Sequence, residues 1–306
     1  MAAAKTPRTA TAAGDLPIIA TMEVRVLSWN LFHGRDHPPE PELLTWRSRL
    51  LGVTERGPAH AQVNTDLAPA FEFVLADASW DVALLQECPT RWAERLATAC
   101  AADPHLVPTS RNIPYAGRIQ ALLADHNPDL IASWEGGSNL TLVRRAGAIT
   151  ERRSFQLASR PERRMMAFTR LGADLCVANF HASADREQAE RELIEAARVA
   201  RDWARGAPLI LGGDFNLRPA LSDRVFARLE AEFGLRAPTG ERVIDHLLAT
   251  GLEVAEPPRQ WPAERREVPD PTAGGDVVAA LPVRLSDHAP VEARFAPMWS
   301  VQSVAQ

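Results

Sequence analysis

Apolar positions along the chain switch between short continuous runs and three-to-four spacing. Val24, Val26 and Leu27 predict a strand that ends at Trp29-Asn30. Residues 36–63 are interrupted by Pro and Gly, which predicts a segment wrapped over one end of the fold. Asn64 or Thr65 caps a helix over 66–78, where Leu67, Phe71, Val74 and Leu75 share one face. The run Asp-Val-Ala-Leu-Leu at 81–85 reads as a buried strand leading into Gln86-Glu87. Pro89 opens a second helix that reaches Ala101.

The stretch 103–137 has the weakest pattern, with a short helix predicted over 117–126 and stopped by Asn127-Pro128. Four β-like segments follow at 140–144, 148–157, 165–171 and 175–180. The clearest helix spans 184–205, with Ala189, Leu193, Ala196, Ala197, Ala200 and Trp203 on one face and Gly206 as its stop. A buried strand at 208–211 then runs into Gly212-Gly213-Asp214-Phe215-Asn216. A helix near 222–232 and strands at 243–249 and 289–295 complete the pattern, and the Pro/Gly-rich span 255–282 reads as a long surface loop. Strand–helix–strand thus occurs twice around a meander. This predicts an α+β fold, a four-layer α/β sandwich with two mainly antiparallel sheets face to face and helices outside. One domain is expected over 22–297, between an Ala/Thr-rich disordered tail at 1–21, with Met22 as an alternative start, and a short tail at 298–306.

Composition narrows the partners. The chain has 306 residues, and 34 Lys+Arg against 39 Asp+Glu give a net charge of −5. That balance argues against holding nucleic acid by bulk charge, although a locally basic cleft is compatible with it. No apolar run is long enough for a membrane span, and Leu16, Ile18 and Ile19 are too few for a signal-peptide core. Cys88, Cys100 and Cys176 are too scattered for a disulfide framework and read as reduced thiols, which predicts a cytoplasmic protein.

Polar residues gather where buried strands end. Asn30, Glu87, His181, Asp214 with Asn216, and Asp287-His288 each sit at a strand terminus, while Asp245 lies inside the otherwise apolar VIDHLL. One carboxylate at a strand end is commonly a solvated turn cap. Several together form a like-charge cluster that costs free energy unless a cation relieves it. Mg²⁺ suits oxygen donors plus a substrate phosphate, and no Cys/His set has zinc spacing.

Eight segments in order carry a resemblance: VRVLSWNLFHG (24–34), DVALLQE (81–87), SNLTLVRR (138–145), RRMMAFTRL (163–171), LCVANFHAS (175–183), LILGGDFNLRP (209–219), VIDHLLATGL (243–252) and LSDHAPVEARF (285–295). On these the chain resembles the endonuclease/exonuclease/phosphatase superfamily, which includes DNase I-like nucleases, AP endonucleases, inositol polyphosphate 5-phosphatases and neutral sphingomyelinases. The resemblance implies a DNase I-like fold and a metal-dependent phosphoric ester hydrolase. It implies Glu87, Asn30 and Asp287 as ligands of Mg²⁺, with Mn²⁺ as an alternative ion. It implies Asp214 as the residue that positions or deprotonates the attacking water, Asn216 and His181 on the phosphate, and His288 at the scissile phosphate, oriented by Asp245. Arg164 matches a position that is often basic in the family and is the implied phosphate-neutralising contact; Asn139, after two glycines, is either a substrate contact or simply the start of a strand.

The substrate is less constrained. Arg242-Val243 precedes Ile244-Asp245 where AP endonucleases carry Trp-Arg, and His246 stands where Tyr is common. The GDFN and LSDH segments also differ from the 5-phosphatase motifs. The expected activity is a phosphodiesterase, endonuclease-like on nucleic acid, with a small-molecule or lipid-headgroup phosphohydrolase as the alternative and an inactive binding protein as the different-class reading. A monomer is expected.

Overall fold

The computed structural model describes residues 23–109, 127–144, 147–160, 162–172, 175–274 and 280–298. The first half contains β1 (Val24–Asn30), α1 (Trp46–Leu51), β2 (Glu55–Arg56), β3 (Ala61–Gln62), α2 (Ala68–Asp77), β4 (Val82–Gln86), α3 (Ala93–Ala99), β5 (Asp103–Pro108), α4 (Pro128–Glu135) and β6 (Ser138–Val143). The second half contains β7 (Ile149–Ala158), β8 (Arg164–Leu171), β9 (Leu175–His181), α5 (Arg186–Ala204), β10 (Leu209–Asp214), α6 (Asp223–Phe233), β11 (Asp245–Thr250), β12 (Leu252–Gln260), β13 (Glu267–Pro269), β14 (Pro282–Arg284) and β15 (Val291–Pro297).

Two main sheets form the centre. One has the order β12-β15-β1-β4-β6-β5 and the other β11-β10-β9-β8-β7. Each is antiparallel except for a single parallel pair, β1/β4 in the first and β9/β10 in the second. A parallel pair needs a long crossover, and α2 and α5 lie in those crossovers. Val26, Leu84, Val177, Ile210, Leu247 and Phe295 fill the space between the sheets. A second apolar cluster joins the first sheet to α2 and α3, and a third joins the other sheet to α5 and α6. The layers therefore run helix, sheet, sheet, helix, as the resemblance implies. Helix α5 shows how the sequence achieves this. Asp185 caps its first turn by accepting from the Gln188 amide, and Ala189, Leu193, Ala196 and Ala200 are wholly buried on one face. Truncating Leu193 there costs about 2–5 kcal/mol.

Three expectations change. Asn127-Pro128, expected only as a helix stop, caps and opens a helix. Asn127 accepts from the Leu130 amide and Pro128 occupies the first turn of α4, where its missing N–H is no loss. The predicted helix at 117–126 lies outside the described residues, as do the tails 1–21 and 299–306. The span 255–282 is not a plain loop. β12 pairs with β15 through two bulges around Pro257-Pro258, tolerable because β12 is an edge strand, and β13 pairs with β14. The weakly patterned stretch also contains β5, paired to β6.

Candidate active site

The two parallel pairs explain how distant residues meet. Parallel strands end at the same edge of a sheet. The β1/β4 register sets Asn30 beside Gln86, so Glu87 follows one residue beyond the strand. The β9/β10 register sets His181 beside Asp214, and β10/β11 sets Asp245 opposite Asp214. Beneath these ends the sheets are fastened by amides. Gln86 Nε2 donates to Asn179 Oδ1 at 2.8 Å, and Asn179 Nδ2 donates to the Leu85 and Leu140 carbonyls.

The loops at this edge are bent hard. Phe32, His33, Glu87, Asn216 and Ser286 all have φ between 49° and 60°, and they account for five of the eight non-glycine residues with positive φ among those described. Such conformations cost free energy and cluster at functional sites. Gly213, just before Asp214, has φ of 141°, and a Cβ there would lie 1.8 Å from the Phe180 carbonyl oxygen. The two glycines of GGDFN thus let β10 approach its neighbours while Asp214 turns outward.

Asp214 is the hub. Its Oδ2 accepts from Asn30 Nδ2 at 3.0 Å, and its Oδ1 accepts from the Asn216 amide at 2.9 Å. The same Oδ2 lies 3.4 Å from His181 Nε2 and 3.7 Å from His288 Nε2. His288 Nδ1 faces Asp245 Oδ2 at 2.9 Å. Ser286 Oγ donates to the Asn30 carbonyl and accepts the His288 amide, which ties the SDH loop to β1. Asn216 Nδ2 donates to the Ala182 carbonyl, and Asn30 Oδ1 accepts the Phe32 amide. Glu87 Oε2 lies 3.2 Å from His33 Nε2, and its Oε1 lies 3.9 Å from His181 Nε2.

The electrostatics follow from burial and these neighbours. Burial, then the Asp245 charge, pushes the Asp214 carboxyl up to about 7. Burial opposes a charge on His288, but Asp245 first and then Asp214 and Asp287 outweigh it and raise the imidazole to about 10. Burial lowers His181 to about 4, against the pull of Glu87. Burial also works against the Glu87 charge, yet His33, His181, His288 and Arg35 hold its carboxyl below the usual range.

Of the predicted residues, Asn30, Glu87, Arg164, His181, Asp214, Asn216, Asp287 and His288 line one cleft of about 310 Å³. Asp245 stands behind His288. Arg164 reaches the cleft wall, with Nε donating to Ser183 Oγ, and Ser183 is held in turn by the buried Glu192 of α5. Asn139 does not line the cleft. It is fully buried between the sheets and donates to the Met165 carbonyl, apart from the cleft residues it was grouped with. Arg35 and Thr109 do line it and were not anticipated. Arg35 follows WNLFHG directly, so its only sequence signal was proximity to Asn30. His246 faces away from Asp245, bonded to the Leu217 carbonyl and the Thr239 amide.

Asp214, Asp245 and His288 offer ligand atoms that lie within 4.8 Å of one another and could hold a metal ion. The pairing of His288 Nδ1 with Asp245 suits that histidine better to carrying a proton. Glu87, Asp287 and Asn30 also line the cleft, and carboxylate and side-chain amide oxygens are the donors a hard divalent cation takes.

Comparison with known proteins agrees with this geometry. The family model described as Endonuclease/Exonuclease/phosphatase family matches residues 27–288. The chain belongs to that family. Members of the endonuclease/exonuclease/phosphatase family are phosphoric ester hydrolases, typically dependent on a divalent metal. A family protein from Bacteroides thetaiotaomicron superposes with a TM-score of 0.57 at 14% identity, covering 90% of this chain and 96% of that one. The mannosyl-6-phosphatase of Bacteroides thetaiotaomicron VPI-5482 gives 0.54 at 15%, over 89% and 99%. The human Nocturnin catalytic domain with bound sulfate gives 0.52 at 16%, over 90% and 94%. At such identities these likenesses speak for the DNase I-like fold. No curated protein sequence matches the chain. Among the described residues, no helix is long and apolar enough to cross a membrane.

Proposed function

We propose that this protein hydrolyses phosphate esters with a divalent cation, Mg²⁺ or Mn²⁺, held by Glu87, Asn30 and Asp287. The observation that carries the reading is the convergence on Asp214 of Asn30, His181, Asn216 and the His288–Asp245 pair. When bound, the cation supplies Lewis acidity and neutralises charge on phosphate oxygens. The chain's own groups do the rest. Asp214, fixed at both oxygens by Asn30 and the Asn216 amide, holds the attacking water and takes its proton. His288, kept in one orientation by Asp245, places an N–H on the phosphate. His181 and Arg164 face the same cleft and add donors to the nonbridging oxygens. No covalent nucleophile is required. The human Nocturnin domain, with its bound sulfate, is a relative whose fold accommodates a tetrahedral oxyanion.

Nucleic acid and small phosphoesters are both compatible with this chemistry. The test is plasmid nicking alongside hydrolysis of p-nitrophenyl phosphate and bis(p-nitrophenyl) phosphate, with EDTA and Asp214→Ala as controls. Hydrolysis of any of these that both controls abolish is the expected result. Folded protein that cleaves none of them in Mg²⁺ or Mn²⁺ would favour the inactive binding scaffold.

A further inference from the structure

A second pocket of about 300 Å³ opens beside the catalytic cleft and shares Phe32 and Arg35 with it as a common wall. That volume is at the small end of ligand sites, which run from about 300 to 1,000 Å³. Arg35 is anchored there. Its guanidinium stacks 3.7 Å from the centre of the Phe32 ring, and its Nε donates to the Phe32 carbonyl. The carboxylates that act on it come from both sides, Asp129 in the outer pocket and Glu87 and Asp287 in the cleft.

The outer pocket sets polar groups among the apolar surfaces of Phe32 and Leu44. Asp129 is backed by a relay in which Ser48 Oγ donates to Gln62 and Gln62 Nε2 donates to Asp129 Oδ2 at 2.7 Å. That leaves Asp129 Oδ1 with no hydrogen-bond donor among the described residues. Arg35, Arg49 and His37 also line the pocket, and Asp129 is the first of the carboxylates that act on Arg35, although the two form no ion pair. Asp36 lies in the wall at 3% exposure, and its Oδ1 has no hydrogen-bond partner among the described residues.

This combination selects by exclusion. A second anion would meet Asp129. A cation would meet Arg35 and Arg49. A wholly apolar group would cover Phe32 and Leu44 but strip water from Asp129 and the arginines without replacing its hydrogen bonds. A hydroxyl-rich ring suits both kinds of surface, because its C–H face can lie on Phe32 and Leu44 while its hydroxyls donate to the carboxylate and accept from a guanidinium. We propose that this pocket holds the polyhydroxylated part of a phosphorylated sugar or cyclitol whose phosphate sits in the catalytic cleft, with Asp129 as principal hydroxyl acceptor and Arg35 bridging the two sites. The inference rests on the phosphoesterase reading above and narrows it to a substrate class.

The experiment compares kcat/KM for hexose 6-phosphates, ribose 5-phosphate and inositol monophosphate with that for p-nitrophenyl phosphate, which lacks hydroxyls. Wild type is expected to prefer at least one sugar phosphate. Asp129→Asn, which turns the acceptor into a donor, should lower the ratio of sugar phosphate to p-nitrophenyl phosphate at least tenfold, mainly through KM. Arg49→Ala, at an exposed position where folding is not in question, should lower it in the same direction. An unchanged ratio in both variants, or a wild type that cleaves plasmid DNA but no sugar phosphate, would overturn the inference. A wild type inert toward every ester, p-nitrophenyl phosphate included, would overturn the hydrolase reading on which it rests.

Discussion

His288, in the loop before β15, and Asp245, on β11, are 43 residues apart, yet the imidazole Nδ1 lies 2.9 Å from one carboxylate oxygen and 3.1 Å from the other. Asp245 is on β11 and reaches His288 only because β11 pairs with β10 and places it opposite Asp214. It does not line the cleft, so its effect on catalysis passes through the ring it orients. Asp245→Asn should therefore lower kcat by about 10²–10⁴-fold, the range of a positioned acid–base group, while KM changes by less than about threefold. Steady-state kinetics on any accepted ester checks this, and a loss confined to KM would remove Asp245 from its positioning role.

Glu87 is placed by a left-handed backbone turn one residue past β4, with φ of 49°. As the first carboxylate proposed to hold the cation, it should govern metal affinity more than fold. Glu87→Gln should raise the Mg²⁺ concentration at half-maximal rate at least about tenfold, while the circular dichroism spectrum stays unchanged. A metal titration with the wild-type midpoint would place the cation elsewhere, with the Asp214, Asp245 and His288 group the next candidate.

Gly213 lets β10 deliver Asp214. A methyl group there would lie 1.8 Å from the Phe180 carbonyl oxygen, on a residue with φ of 141°. Neither the backbone of β9 nor the angle can relax cheaply, so Gly213→Ala should destabilise the protein by more than about 3 kcal/mol. Denaturant unfolding measures this, and a midpoint equal to that of the wild type would show that β10 tolerates a side chain at this position.

His105 gives a pH dependence away from the catalytic edge. It sits on β5 and bonds Thr169 Oγ1 of the opposite sheet at 2.9 Å. Burial first, and then Arg152, lowers its imidazole to about 4. The unfolded chain takes up a proton near 6.5 that the folded protein refuses until about 4. The folded state therefore loses stability as pH falls through that window, on the order of 2 kcal/mol for this group. His105→Gln should show a smaller stability loss between pH 7 and pH 5 than wild type in urea titrations. Parallel losses in the two proteins would rule out His105 as the source.

Much of the fold and the site was legible because both are written locally. Leu193 and its helical neighbours spell the face of α5, and the apolar runs before Glu87 and Asp214 spell buried strands. The strand-end position of Asn30, Glu87, Asp214 and His288 is likewise a property of short segments. What was misread depended on partners distant in sequence. Asn127-Pro128 serves equally as a stop or as a cap, and only the chain that follows shows that it opens α4. Pro257-Pro258 argues against a strand unless the strand lies at an edge, which is a fact of topology. Asn139 shares a motif with cleft residues, but its strand points it between the sheets. Arg35 carried no motif of its own; its role comes from the second pocket, assembled from residues 32–62 and Asp129.

The central claim is that water held at Asp214 attacks phosphorus with a divalent cation's help. Hydrolysis of an accepted ester in ¹⁸O-enriched water tests it most directly. One solvent oxygen is expected in the phosphate-containing product and none in the alcohol, with turnover abolished by EDTA and by Asp214→Asn. Label in the alcohol, or turnover that survives both controls, would contradict it.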